Sequence, residues 1–387
     1  MFDPVAPGRP AHQVARRTTR RTTRRTAAPP AVLGLVLALV AAALAVASPE
    51  RASASPGGDR FWAGEVYSGE FGAPSILRDG DTFYAYATNT SGNNLPVLVS
   101  QDLRTWRARD PWPVEAGYST WKGYNDAMPF PARWAARRQN GKPGVWAPAV
   151  IKLRGRYVNA HAVQMRLGSA RHCLTLATAP SPLGPFRDDS RRPLYCSSDP
   201  NGSIDPAWLQ VGRKVYLIWK NAGVRGSKPT QIMARRMRPD GLRFARHSRA
   251  HVLLQTARPW EGNVIEAPSP IVYDGRIYLF YSGNIYTTSR YAIGYATCAG
   301  PLGPCRRGSN RPLLRTGGAI AGPGAQTPVV DKDGRLRLAY SAWRRGRVGY
   351  PATDSCLRTR AGCNQRRMYL ATLDVGRRGK LTVTRRR

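Results

Sequence analysis

Five times in this chain a Pro is followed, six or seven residues later, by a Gly and then by a run that ends in aromatics. The copies begin at Pro74 (APSILRDGDTFYAY), Pro148 (APAVIKLRGRYVNA), Pro206 (DPAWLQVGRKVYLIW), Pro268 (APSPIVYDGRIYLFY) and Pro328 (TPVVDKDGRLRLAY). They lie 74, 58, 62 and 60 residues apart. A repeat of this length marks supersecondary units that stack or close into a ring. Each copy reads as two strands joined by a Gly turn, and nothing sustains a helical period. The expected fold is all-β, a five-bladed β-propeller. Two further phrases, LTLATAPSPLGPF from Leu174 and YAIGYATCAGPLGPC from Tyr291, occupy matching places after the second and fourth copies. The last blade is expected to end with MYLATL (Met368 to Leu373), and the segment Phe61 to Tyr67 to add a strand to it, closing the ring.

The repeat singles out the positions where it breaks. Before the Pro of each copy stand Ala73, Ala147, Asp205, Ala267 and Thr327, and Glu266 precedes Ala267. Two carboxylates at the same end of equivalent strands point at one central site. Such a pair suits glycoside hydrolysis, where one carboxylic acid protonates the leaving oxygen and a second carboxylate activates water from the opposite face. Burial side by side raises the pKa of one of them, as an acid working near neutrality requires.

The chain resembles glycoside hydrolase family 43, five-bladed propeller enzymes acting on arabinofuranosides and xylosides. The resemblance covers residues 60–387 and rests on Pro74, Trp146-Ala147-Pro148, Ile204-Asp205-Pro206, Ile265-Glu266-Ala267-Pro268 and Gly322-Pro323-Gly324. It implies Glu266 as general acid, Asp205 as the group that orients it and tunes its pKa, and Trp146 as a wall that stacks on the sugar ring. Ala73 and Gln326 are expected to line the same subsite. Two positions depart from the family pattern. Its general base is the Asp directly before the first-blade Pro, which here is Ala73. The His that follows the fifth-blade Gly-Pro-Gly and belongs to a central metal site is Ala325 here, so no cofactor is expected and a central calcium is doubtful. Asp126, in Asn125-Asp126-Ala127-Met128-Pro129, is the leading substitute base, and Glu70, three residues before Ala73, is the other.

The remaining site candidates are weaker. His161 is expected as a satisfied strand residue, and His172, His247 and His251, set among Arg, as surface residues. Trp106, Trp112, Trp121 and Trp134, in the long Trp-, Pro- and Gly-rich stretch from Thr105 to Gly144, either line a sugar cleft or pin loops. Met165 and Met233 are read as core.

The N-terminus reads as a targeting segment. Paired arginines from Arg16 to Arg25 precede an apolar stretch from Ala31 to Ala47, with small-residue cleavage sites at Ala45-Val46-Ala47 or Ala52-Ser53-Ala54. Residues 1–54 are therefore assigned to a secretion signal and basic leader, and residues 55–387 to one propeller domain; an uncleaved anchor is the second choice. Export agrees with the cysteines. Cys173 with Cys196, Cys298 with Cys305 and Cys356 with Cys363 are near neighbours, each bracketing one hairpin or loop, and local disulfides are expected in an oxidising compartment. CxxC spacing and clustered His are lacking, which argues against zinc.

The formal net charge of +37 is carried mostly by Arg. It fits either the compositional bias of a GC-rich coding sequence or retention near an anionic cell-wall polymer. Without a zinc finger, an RRM motif or a helical basic region, nucleic acid is not an expected partner. Three functions compete: a secreted, monomeric, inverting glycosidase acting on a polysaccharide or oligosaccharide; a sugar-binding propeller impaired in turnover by Ala73; and a basic protein bound to cell-wall polymers through its charge.

Overall fold

The computed structural model describes residues 64–89, 93–108, 126–137, 143–165, 169–224, 226–350 and 364–384. The leader at 1–54, Trp112, Trp121, Cys356 and Cys363 lie outside the described residues.

The chain enters on β1 (Gly64–Tyr67) and then lays down five antiparallel sheets in sequence order. Blade 1 comprises β2 (Ser75–Asp79), β3 (Thr82–Tyr86), β4 (Val97–Ser100) and β5 (Arg107–Ala108). Blade 2 comprises β6 (Val145–Leu153), β7 (Arg156–Gln164) and β8 (His172–Ala179). Blade 3 is built from β9 (Ser203–Val211), β10 (Lys214–Asn221), β11 (Gln231–Arg236) and β12 (His251–Gln255). Blade 4 follows with β13 (Ile265–Tyr273), β14 (Arg276–Gly283), β15 (Ala292–Cys298) and β16 (Cys305–Arg307). Blade 5 has β17 (Ile320–Val330), β18 (Leu336–Arg344) and β19 (Arg367–Val375), with β20 (Leu381–Thr384) paired to the far half of β19. The near half of β19 takes β1, with Gly64 opposite Leu370, so the first strand of the chain completes the last blade and closes the ring.

Each Pro-to-Gly copy is the first hairpin of a blade. Its turn glycines, Gly80, Gly155, Gly212, Gly275 and Gly334, all have positive φ, between 56° and 76°, a conformation that costs a residue with a Cβ energy. Apolar residues on the two faces of each blade then meet those of its neighbours. Tyr86 and Val97 of blade 1 pack with Val150 and Tyr157 of blade 2. Val158 and Leu174 of blade 2 meet Leu217 and Trp219 of blade 3, and Ile218 and Ile232 meet Leu279 and Tyr281 of blade 4. Phe280 and Ile293 face Leu338 and Tyr340 of blade 5, and Ala339 and Leu370 face Phe83 and Leu98 of blade 1. Blade-to-blade packing therefore fixes where the inner strands β2, β6, β9, β13 and β17 converge.

The structure corrects two minor readings. Met165 is exposed just beyond β7 and is not a core residue. His172 is buried and not a surface residue, whereas His247 and His251 are exposed.

Candidate active site

Each inner strand is entered through a residue in the left-handed region. These are Ala73 (φ 54°), Ala147 (44°), Asp205 (55°), Ala267 (50°) and Ala325 (49°). For residues with a Cβ this conformation is strained and persists only where surrounding structure imposes it. In blades 2, 3, 4 and 5 the ladder with the second strand slips at the same point, as between Trp146 and Ala149, between Ile204 and Ala207 and between Glu266 and Ser269. In blade 5 the column falls on Ala325 and not on Thr327, because the slip there extends over Gly324 to Thr327. The five residues and the strand segments after them line an axial cavity of about 140 Å³, in which Asp205 is the one charged group among the described residues.

One position earlier, a second column reads Gly72, Trp146, Ile204, Glu266 and Gly324. Glu266 accepts hydrogen bonds from Lys220 Nζ through Oε2 (2.8 Å) and from the Tyr291 hydroxyl through Oε1 (2.9 Å). Asp205 Oδ2 accepts the backbone N–H of Ala267 at 2.8 Å, so it grips the peptide that carries Glu266. Burial, then the neighbouring charge of Glu266, raises Asp205 to about 6, against the attraction of Lys220. Burial works against the charge of Lys220, but Glu266 and Asp205 outweigh it and the ammonium is held more firmly than usual.

The two glycines of the second column make room for other side chains. A Cβ on Gly324 would lie 2.0 Å from the ring of Tyr291, the donor to Glu266. A Cβ on Gly72 would stand 3.3 Å from both Arg366 Nη1 and Glu70 Oε1. Arg366 is buried, and its Nη2 reaches Ser341 Oγ (3.3 Å), the same hydroxyl that accepts the N–H of Ala73 at 2.9 Å. A cation thus stands behind the position where the family pattern has a carboxylate.

Trp146 stacks on His172, with ring centroids 3.9 Å apart. Both line a cleft of about 1060 Å³ that continues past Lys220, Lys228, Asn263 and Arg290 across blades 2 to 4. The other expected residues are committed elsewhere. Asp126 is a structural cap: its carboxylate accepts the backbone N–H groups of Asn94 (2.9 Å), Leu95 (2.9 Å) and Met128 (3.1 Å) and is buried. That corrects its reading as a funnel-facing base. Gln326 lines the axial cavity, but its amide ties blades together, accepting from Ser282 Oγ (2.8 Å) and donating to Ala267 O (2.9 Å). Trp106 and Trp134 pin loops through Leu103 O and Ser190 Oγ. His161 is enclosed beside Asn159 and Asp188. Cys173–Cys196 and Cys298–Cys305 are disulfides.

A central metal does not fit the fifth-blade residues. Ala325 offers a methyl and the amide of Gln326 is taken, and the described residues hold no group of three or more His, Cys, Asp or Glu able to hold an ion.

Lys220, Tyr291, Arg366 and His172 were not expected at the site. Lys220 alone left a trace, a Lys closing the apolar run VYLIW of β10. The others reach the centre through blade packing, which no local pattern records.

Residues 66–367 match the profile of Glycosyl hydrolases family 43. The extracellular endo-alpha-(1->5)-L-arabinanase 1 of Bacillus subtilis (strain 168) is 26% identical over 313 residues, 75% of this chain and 85% of that protein. A solved thermostable family-43 glycoside hydrolase superposes with a TM-score of 0.63 at 24% identity, over 84% of this chain and 96% of its own. An endo-1,4-beta-xylanase from Bacteroides thetaiotaomicron gives 0.62 at 22% identity, over 83% and 96%. At these identities the structural likeness speaks to the fold alone.

Proposed function

Because the chain belongs to glycosyl hydrolases family 43, we propose that it is a secreted, inverting glycosidase of arabinofuranosyl- or xylosyl-containing polysaccharides, with Glu266 as general acid and Asp205 as the group that orients it. The observation that carries this reading is the carboxylate pair on consecutive inner strands, linked through the Ala267 N–H and bordered by Lys220 and Tyr291. A general acid gives its proton to the glycosidic oxygen and is left as a carboxylate. Lys220 and the Tyr291 hydroxyl are placed to hydrogen-bond that carboxylate once the proton has left. Trp146 offers an apolar face to sugar C–H groups. The neighbouring cleft, about 1060 Å³, lies at the upper end of ligand-site volumes and has room for more than one sugar ring.

Secretion is supported by the leader and by two disulfides, and the basic charge by itself supports retention at an anionic wall polymer. The test is hydrolysis of chromogenic arabinofuranoside and xyloside and of dyed arabinan, with the anomer of the first product read by NMR. Wild type is expected to turn over at least one substrate with inversion, and Glu266→Gln to lose it. Ala73 favours a second reading, a propeller that binds the sugar without cleaving it; binding of arabinan or xylan by a wild type inert on all substrates would select that reading.

A further inference from the structure

Inverting hydrolysis needs a proton acceptor for the attacking water, and Ala73 cannot be one. The carboxylate beside Gly72, the residue before Ala73, is Glu70. Its Oε2 accepts the backbone N–H of Arg366 and its Oε1 the hydroxyl of Tyr350, both at 2.8 Å. Each oxygen keeps a second lone pair. Gly72 opens the space between Glu70 and the column: where its Cβ would be, Glu70 Oε1 and Arg366 Nη1 are the closest atoms. Arg366 in turn joins this corner to the Ala73 N–H through Ser341, and its Nε has no hydrogen-bond partner although it is buried. Tyr286, over whose ring Arg366 lies at 5.2 Å, is exposed.

We propose that Glu70 is the general base of this enzyme, taking the role from across the Gly72 gap that a carboxylate at position 73 would otherwise fill. Water placed beside Arg366 and Ala73 gives a proton to Glu70 as its oxygen bonds to the anomeric carbon. The glycosidic C–O bond breaks, and its oxygen takes the proton of Glu266. Glu70 then returns its proton to solvent and Glu266 regains one. Burial raises the proton affinity of Glu70 above that of a free side chain, against the bonds from Tyr350 and Arg366, which suits an acceptor.

The inference rests on the glycosidase reading above, and the experiment separates the two. Glu70→Gln and Glu70→Ala are compared with wild type and Glu266→Gln on the best chromogenic substrate, with and without sodium azide. Glu70→Gln is expected to lose about 10²–10⁴-fold in kcat with little change in KM. Azide is expected to restore turnover in Glu70→Ala and to yield a glycosyl azide of inverted configuration, because the small anion attacks in place of activated water. Glu70→Gln within a few-fold of wild type overturns the inference, as does a loss in both variants that azide does not relieve, which would make Glu70 a support for Arg366. In both outcomes sensitivity to Glu266→Gln leaves the glycosidase reading intact. A wild type without turnover overturns both.

Discussion

Replacing Asp205 by Asn separates stability from function at one side chain. In the folded chain Asp205 is raised from 3.8 to about 6, chiefly by burial and then by Glu266. Between those two pH values the folded state keeps a proton that the unfolded state has released, so stability falls as pH rises and the whole penalty is present above about pH 6. At about 1.4 kcal/mol per pH unit the ceiling is about 3 kcal/mol. Asp205 faces the axial cavity and is only partly buried, and solvent screening trims the figure to about 1–2 kcal/mol. Asn keeps an acceptor for the Ala267 N–H and removes the charge.

Thermal melts at pH 4 and pH 8 are therefore expected to differ in the size of the effect. At pH 8 Asp205→Asn melts about 2–4 °C above wild type, given about 2 °C per kcal/mol for a domain of this size. At pH 4 the gain largely disappears, because wild-type Asp205 is itself protonated. Hydrolysis by the variant falls even where it is the more stable protein, the usual exchange at strained sites. A melting difference between variant and wild type that is the same at both pH values, or larger at pH 4, refutes the reasoning.

Asp126→Ala is expected to cost about 2–4 kcal/mol, because three buried backbone donors lose their acceptor, and to leave kcat within a few-fold below the melting temperature; urea unfolding with a parallel assay checks both. Cys173 and Cys196 close a loop 23 residues apart and Cys298 and Cys305 one 7 apart. By loop-closure entropy, Cys173→Ser with Cys196→Ser lowers stability by about 3 kcal/mol and Cys298→Ser with Cys305→Ser by somewhat less, an order that unfolding curves of the two double variants will show.

What could be read in the chain before its structure was what local periodicity records. The Pro-to-Gly copies carry the first hairpin of every blade, and Asp205 and Glu266 stand out because the other columns are uncharged. Register past the hairpin is another matter. Thr327 shares a Pro neighbour with Ala73, yet the wider slip in β17 moves the column to Ala325. Asp126 follows an Asn and leads into a Pro, a context equally suited to a funnel loop or to a capped turn. The difference lies in the Asn94 and Leu95 N–H groups, about thirty residues upstream. Arg366 is separated from Glu70 by 296 residues, and ring closure by β1 on β19 brings them together.

That closure explains why the charge at the gap is arranged as it is. A buried guanidinium whose partner is removed destabilises a fold by several kcal/mol, since its desolvation is then uncompensated. With Ala at position 73, the first blade supplies the counter-charge to Arg366 from Glu70 instead, and the absent side chain of Gly72 lets the two approach. A carboxylate restored at 73 would meet the same guanidinium through the Ser341 corner. Positions 70 and 73 are thus alternative sources of one negative charge beside one cation, which is why the proposed transfer of the base from 73 to 70 leaves the charge balance around Arg366 intact.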